Sequence, residues 1–152
     1  MSNNKAPLLT ETLRSDLIAA ALAARDRAYV PYSHFPVGAA VLTSVGAIYS
    51  GCNIENATFG ATVCAERTAV FKAVSEGDRD LSVVAVVTAN GASPCGICRQ
   101  VLYEFNPEII VIVAQADGQI VWEGPVTSLL PLGFGPKKLA DGQEPQPTDA
   151  GT

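Results

Sequence analysis

Two short runs of branched aliphatic residues limit the folds open to this chain. Val83-Val84-Ala85-Val86-Val87 and Ile109 to Val113 carry no polar residue on either alternating face. A strand of that kind is buried on both sides. The segments around these runs have helical spacing. Leu13, Leu17, Ala20, Ala21, Ala24 and Ala28 recur on one helical face, with Thr10 as cap, Glu11 in the first turn and Pro31 as the stop. A second helix is expected from Thr62 to Glu76, capped by Thr62, closed at Gly77 and apolar around most of its circumference. A third starts behind Ser93-Pro94 and turns Ile97, Val101, Leu102 and Phe105 inward. Val37 to Leu42 and Ala47 to Tyr49 read as a hairpin, followed by a polar loop over Gly51 to Asn56. Asp117-Gly118 turns the second aliphatic run back into Gln119 to Trp122, and Thr127 to Leu130 reads as a short helix. Strands alternating with helices make an α/β layered sheet.

At 152 residues the chain is one domain. We place that domain at residues 1–135. From 136 to 152, proline, glycine and polar residues predict a loose tail. Only 16% of residues are charged, against about 25% in typical domains, while 48% are hydrophobic. That excludes a disordered chain and points to surface buried against another copy. The net charge is −5 and no basic run is present, which argues against a nucleic-acid polymer as partner. No stretch approaches the roughly 18 apolar residues of a membrane span, and no secretory signal opens the chain. The expectation is a cytoplasmic protein with no membrane partner.

In such a compartment cysteines serve as metal ligands or redox groups more often than as disulfides. Pro94-Cys95-Gly96-Ile97-Cys98 sets two sulfurs about one helical turn apart. Cys64 precedes Cys95 by a helix–strand unit. Loops at one edge of an α/β sheet converge, so three sulfurs can meet there. With Thr62 and Ser93 as caps, Cys64 and Cys95 fall in first helical turns, where free N–H groups and the helix dipole favour thiolates. Three thiolates suit zinc. Cys52 or the lone His34 could close a structural site as fourth ligand. If neither reaches, water takes the fourth corner and the site is catalytic.

Glu66 bears on that choice. It is too close in sequence to Cys64 to share the metal easily, yet lies beside the fourth corner. A glutamate there can take a proton from water and pass it to a substrate nitrogen. Three thiolates leave the centre at −1, and excess negative charge weakens the metal as a Lewis acid. Arg67 is the first candidate to compensate, and Arg99 the second. Asn53 and Glu55, alternate residues on an extended segment, can donate to and accept from a sugar hydroxyl. A turn asparagine and a surface glutamate are the plainer reading of that pair.

These residues resemble the cytidine deaminase family, in its small homotetrameric three-cysteine branch. The resemblance covers Val30 to Ala40, Gly51 to Ala57, Cys64-Ala65-Glu66-Arg67-Thr68-Ala69, Lys72 to Gly77, Ser93 to Leu102, Leu129-Leu130-Pro131 and Phe134-Gly135-Pro136. It implies a three-layer α/β/α sandwich around a mixed five-stranded sheet. It implies hydrolysis of cytidine and deoxycytidine to uridine and deoxyuridine with release of ammonia, as in pyrimidine salvage. By position, Cys64, Cys95 and Cys98 bind one zinc ion per chain and Glu66 shuttles protons. Asn53 and Glu55 hold the ribose 3′-hydroxyl, and Phe35 packs on the pyrimidine. The Ala65 backbone and the Ser93 carbonyl position the base, and Arg67 donates to ligand sulfurs. Phe134 reaches the base from a neighbouring subunit, so that active sites are shared across a homotetramer. The chain departs from the branch at Phe59, often tyrosine there, which removes a phenolic hydroxyl near the sugar. Two other readings share parts of this pattern: a deaminase of another cytosine-bearing molecule such as blasticidin S, and a zinc-stabilised binding module without catalysis.

Overall fold

The two aliphatic runs lie side by side in the middle of one sheet. In the computed structural model, which describes residues 8–143, they form β3 (Leu81–Thr88) and β4 (Ile110–Gln115), paired in parallel with Val83 opposite Ile110. Parallel neighbours need a crossover, and the third helix, α3 (Gly96–Phe105), supplies it. The hairpin of β1 (Gly38–Thr43) and β2 (Ile48–Cys52) adds to one side through an antiparallel β1–β3 pair. On the other side β5 (Ile120–Pro125) folds back antiparallel on β4. The order is β2-β1-β3-β4-β5, a mixed five-stranded sheet.

Alternation along the strands divides the core in two. On one face, Leu17 and Ala21 of α1 (Glu11–Arg25) pack on Ala40, Leu42, Val83, Ala85, Val87 and Ile112. On the other, Ala69, Val70 and Ala73 of α2 (Ala65–Ser75) and Leu102 of α3 cover Ala39, Val41, Val84, Val86, Val111 and Val113. The result is the expected three-layer α/β/α sandwich. Thr10 caps α1 as expected, its side chain accepting from the Leu13 N–H.

Element ends differ from the sequence reading, each for a local reason. The first helix stops at Arg25, well before Pro31, because Tyr29 leaves it to pair with Ile54. The Tyr29 N–H donates to the Asn53 carbonyl and the Glu55 N–H to the Tyr29 carbonyl. Ile54 also bridges Val63, which keeps the chain extended to Cys64, so α2 starts at Ala65 and Cys64, not Thr62, is its cap. The Thr62 hydroxyl accepts from the Asn56 N–H instead. Likewise Cys95, not Ser93, caps α3. Its inward stripe runs through Cys98, Val101, Leu102 and Phe105, at i, i+3, i+4 and i+7, which turns Ile97 outward to 62% exposure. The second helix is apolar around most of its circumference, yet one side faces solvent, with Phe71 and Lys72 exposed.

The Thr127–Leu130 segment is a single 3-10 turn at Val126–Ser128. Within the expected tail, Pro136–Asp141 forms a short helix, α4, with proline at its first position and a Lys137–Asp141 pair across one turn. Residues 144–152 lie outside the described part of the chain. Among the described residues no helix is long and apolar enough to cross a membrane.

Candidate active site

The start of β1 and the ends of β2 and β3 share one sheet edge, since Gly38 pairs with both Cys52 and Val87. Helices α2 and α3 begin beside that edge, each capped by a cysteine. Cys98 stands in the first turn of α3, fully buried, while Cys64 is half-buried and Cys95 exposed. The three sulfurs lie within 4.8 Å of one another, and Cys64 Sγ is 3.8 Å from Cys95 Sγ. Tetrahedral zinc with sulfur at about 2.3 Å sets its ligands about 3.8 Å apart, so the three side chains fit one zinc ion. Among the described residues, no other histidine, cysteine or carboxylate joins this group. His34 sits in an exposed loop at φ 54°, and Cys52 stays outside the cluster. Among the described residues the fourth corner thus has no protein ligand, the condition for a catalytic rather than a closed centre.

Charge around the sulfurs is balanced by protein groups. The Cys64 thiol is pulled below its ordinary range, chiefly because Cys98 donates to it and also because the Arg67 guanidinium faces it. Cys98 moves the other way, since it keeps its proton to donate a hydrogen bond to the Cys64 sulfur and is itself buried. A metal ion bound here displaces thiol protons, so its binding depends on pH. Arg67 Nη2 lies 3.6 Å from Cys64 Sγ and 3.4 Å from the Thr62 carbonyl. Its buried Nε has no hydrogen-bond partner among the described residues. An unpaired donor costs about 1–3 kcal/mol, which attraction between the guanidinium and thiolates offsets. Among the described residues, Arg99, the second candidate, makes no bond to sulfur. Its guanidinium turns to the Pro94 carbonyl, the Ser93 hydroxyl and the Leu129 carbonyl.

Beside the sulfurs opens a cavity of about 220 Å³, lined by Phe35, Val37, Asn53, Cys64, Glu66, Val86, Thr88, Ala92, Ser93 and Cys95. Glu66 is only 4% exposed, and burial pushes its carboxyl up to about 7. A group with that value holds or releases a proton near neutral pH. Phe35 and Ser93 meet it across the same space. Ala65 is fully buried at the first position of α2. The Asn53 side chain is engaged by the protein itself: Oδ1 accepts from the Val37 N–H and Nδ2 donates to the Phe35 carbonyl, both at 2.9 Å.

Glu55 lies apart from that cavity. It lines an adjoining hollow of about 400 Å³ with Tyr32, Ser33, Phe59 and Thr62. Its carboxylate accepts from the Tyr32 and Ser33 N–H groups and from the Ser33 hydroxyl, which holds it below the usual carboxylate range. Phe59 meets Tyr32 edge-on at 5.9 Å. Phe134, 58% exposed, does not line the cavity of its own chain, and its carbonyl accepts from Gln100 Nε2.

Sequence reasoning missed Thr88 and Ala92. The Thr88 hydroxyl, buried at the end of β3, accepts from the Ala92 N–H at 2.7 Å and shapes the cavity wall. A polar residue ending an all-apolar strand, just where a parallel sheet places its ligands, was the available signal.

Three comparisons bear on this geometry. The family model described as "Cytidine and deoxycytidylate deaminase zinc-binding region" matches residues 11–114. A cytidine deaminase of Sporosarcina psychrophila is 52% identical over 127 residues, 82% of this chain and 93% of the relative. Another, from Halalkalibacterium halodurans, is 49% identical over 131 residues, 84% of this chain and 98% of the relative. The crystal structure of cytidine deaminase from Burkholderia pseudomallei superposes with a TM-score of 0.77 at 42% identity, covering 83% of this chain and all of that one.

Proposed function

The chain belongs to the cytidine and deoxycytidylate deaminase family, and on that premise we propose that it hydrolyses cytidine to uridine and ammonia at one zinc ion per chain. The observation that carries the reading is the buried Glu66 carboxyl in a cavity it shares with Cys64 and Cys95, two members of a three-sulfur cluster with an open fourth corner. A structural zinc module would need a fourth protein ligand and would leave Glu66 without a task.

Cys64, Cys95 and Cys98 would hold the metal, which when bound would supply Lewis acidity and lower the pKa of water at the fourth corner. Glu66 would pass one proton of the attacking water to the pyrimidine nitrogen and the second, from the new C4 hydroxyl, to the departing amine, so that water and cytidine become uridine and ammonia. Burial keeps its proton affinity near neutrality, the range in which one carboxyl can serve as base and then acid. Arg67 tempers the thiolate charge. Phe35 packs on the pyrimidine, and the Ala65 backbone and Ser93 carbonyl orient its polar edge. Asn53 and Glu55 serve the ribose 3′-hydroxyl and also fix the loop that carries Phe35.

The reading extends to deoxycytidine, to pyrimidine salvage and to the cytoplasm, where reducing conditions keep Cys64, Cys95 and Cys98 available for metal. We read residues 1–135 as the deaminase domain and 136–152 as an appendage. The assembly is a homotetramer with shared sites, Phe134 of one chain entering the pocket of another. Support comes from the exposed side chains of Phe71, Ile97, Leu132 and Phe134, which subunit contacts would cover.

Metal analysis with an ammonia-release assay tests the function. The expected result is one zinc per chain and ammonia released in step with uridine. A zinc-loaded protein that releases no ammonia from cytidine overturns the reading, and release from blasticidin S alone moves it to that related activity.

A further inference from the structure

We propose that Arg99 is the positioning residue that sets Cys95 and Ser93 at the metal site, by forking its guanidinium across the turn that carries them. The inference rests on the zinc reading above. Cys95 is the most exposed of the three cysteines, and among the described residues its sulfur has a hydrogen-bond contact with Cys64 Sγ alone. As the cap of α3 it makes no side-chain bond to the helix it starts. Its direction is therefore left to the peptide before it, Pro94-Cys95, and to the Ser93-Pro94 link. Proline donates no N–H, so the turn cannot fasten itself through that position.

Arg99 supplies the fastening. From the second turn of α3 its Nε donates to the Pro94 carbonyl at 2.7 Å and its Nη2 to the Ser93 hydroxyl at 2.9 Å. Its Nη1 reaches the Leu129 carbonyl, also at 2.9 Å, just past the 3-10 turn that follows β5. Three nitrogens of one planar group thus meet three acceptors, two on the turn and one on a separate segment of the fold. The Arg99 N–H closes the first helical bond to the Cys95 carbonyl at 3.0 Å. The turn is pinned from both sides of the ligand. Since Ser93 and Cys95 line the same cavity as Glu66, one side chain governs both a metal ligand and the wall that faces the base. A lysine offers a point charge and cannot span three such directions at once.

Arg99→Gln and Arg99→Lys test this, with zinc release to excess chelator, and Tm with and without zinc, as readouts. Loss of a group that orients a ligand commonly weakens metal binding or activity about 10–100-fold, and release from Arg99→Gln should accelerate within that range. The rise in Tm that zinc produces should shrink in the same variant. An arginine that only supports the fold would lower the zinc-free and zinc-loaded Tm equally. Zinc-saturated Arg99→Lys should keep its fold, release zinc several-fold faster than the parent and show a raised KM for cytidine. Gln100→Leu, altered at the neighbouring residue whose side chain bonds the Phe134 carbonyl, should release zinc at the parent rate. If Arg99→Gln fails to fold, the lysine variant decides. Parent-like zinc release and an undiminished zinc-dependent rise in Tm, in whichever variant folds, overturn the proposal. A parent protein that holds no zinc instead overturns the functional reading on which the proposal rests.

Discussion

Replacing Asn53 by alanine should damage stability and nucleoside recognition together, because the amide that braces the Phe35 loop is also the one proposed to meet the sugar. Its Oδ1 is the acceptor for the Val37 N–H, and its Nδ2 donates to the Phe35 carbonyl. The first bond involves a partly buried donor, and leaving such a group unsatisfied costs about 1–3 kcal/mol. The second is solvent-exposed, so water replaces most of it and its loss costs about 0.5 kcal/mol. The backbone bond from the Asn53 N–H to the Val37 carbonyl, 3.2 Å, survives the substitution and limits the loop's departure. The total is about 2 kcal/mol, which for a chain of this length lowers Tm by roughly 6 °C. Phe35 then loses its anchor at the cavity wall. Small misplacement of a positioning group is costly, so kcat/KM for cytidine should fall about tenfold or more. Free cytosine, which never used the sugar contacts, should be affected less. Asn53→Asp should not rescue the loop, because it retains the acceptor for Val37 but sets a second oxygen against the Phe35 carbonyl. The assays are thermal unfolding and kinetics on cytidine and cytosine. A Tm within about 1 °C of the parent would refute the bracing role. Equal losses on nucleoside and base would refute the sugar contact.

Gly38→Ala should destabilise by about 3 kcal/mol or more, seen in thermal unfolding, because an added Cβ would lie 1.9 Å from the Ala21 carbonyl oxygen and 2.7 Å from the Arg25 nitrogen, forcing α1 off the sheet. Phe134→Ala should leave Tm near the parent, since the ring is largely exposed in its own chain, but should raise KM for cytidine; mixing inactive Glu66→Gln and Phe134→Trp chains should restore activity where subunits exchange. Glu123 is held below the usual carboxylate range by its forked bond to Arg14, so its contribution is present above the unfolded value and fades as pH falls through the folded one. Glu123→Gln should therefore cost at most about 1 kcal/mol near neutrality and make the acid limb of the stability curve shallower, as denaturant titrations across pH would record.

Much of the layered sheet was legible because its two central strands have no polar face to hide. The alanine-rich stripe of α1 and the cysteines flanking a helix–strand unit were legible for the same kind of reason: each is a pattern within one element. What the sequence hid were pairings between distant segments. Ile54 bridges both Tyr29 and Val63, and those two bridges end α1 early and delay α2 until Cys64. The same blindness gave Ser93 and Thr62 capping roles that cysteines fill, and made Arg99 a second candidate to offset the thiolate charge when its guanidinium bonds the turn beside it. Asn53 and Glu55 illustrate the limit at the site. Their alternation suggested one shared direction, yet Asn53 lines the cavity with the sulfurs while Glu55 turns to Tyr32 and Ser33 in the next hollow. Short isolated bridges and side-chain-to-backbone bonds between loops leave no periodic trace for sequence reasoning to find.

On the proposed mechanism, a buried carboxyl beside an open zinc corner moves the protons of cytidine hydrolysis. Glu66→Gln tests it most directly, with zinc content and ammonia release from cytidine measured on the same sample. Glutamine keeps the shape of a side chain that is 4% exposed and leaves Cys64, Cys95 and Cys98 in place. The expected result is one zinc per chain and turnover lowered by about 10²–10⁴-fold, the usual contribution of a positioned acid–base group. Zinc-loaded Glu66→Gln that deaminates cytidine at close to the parent rate would contradict it.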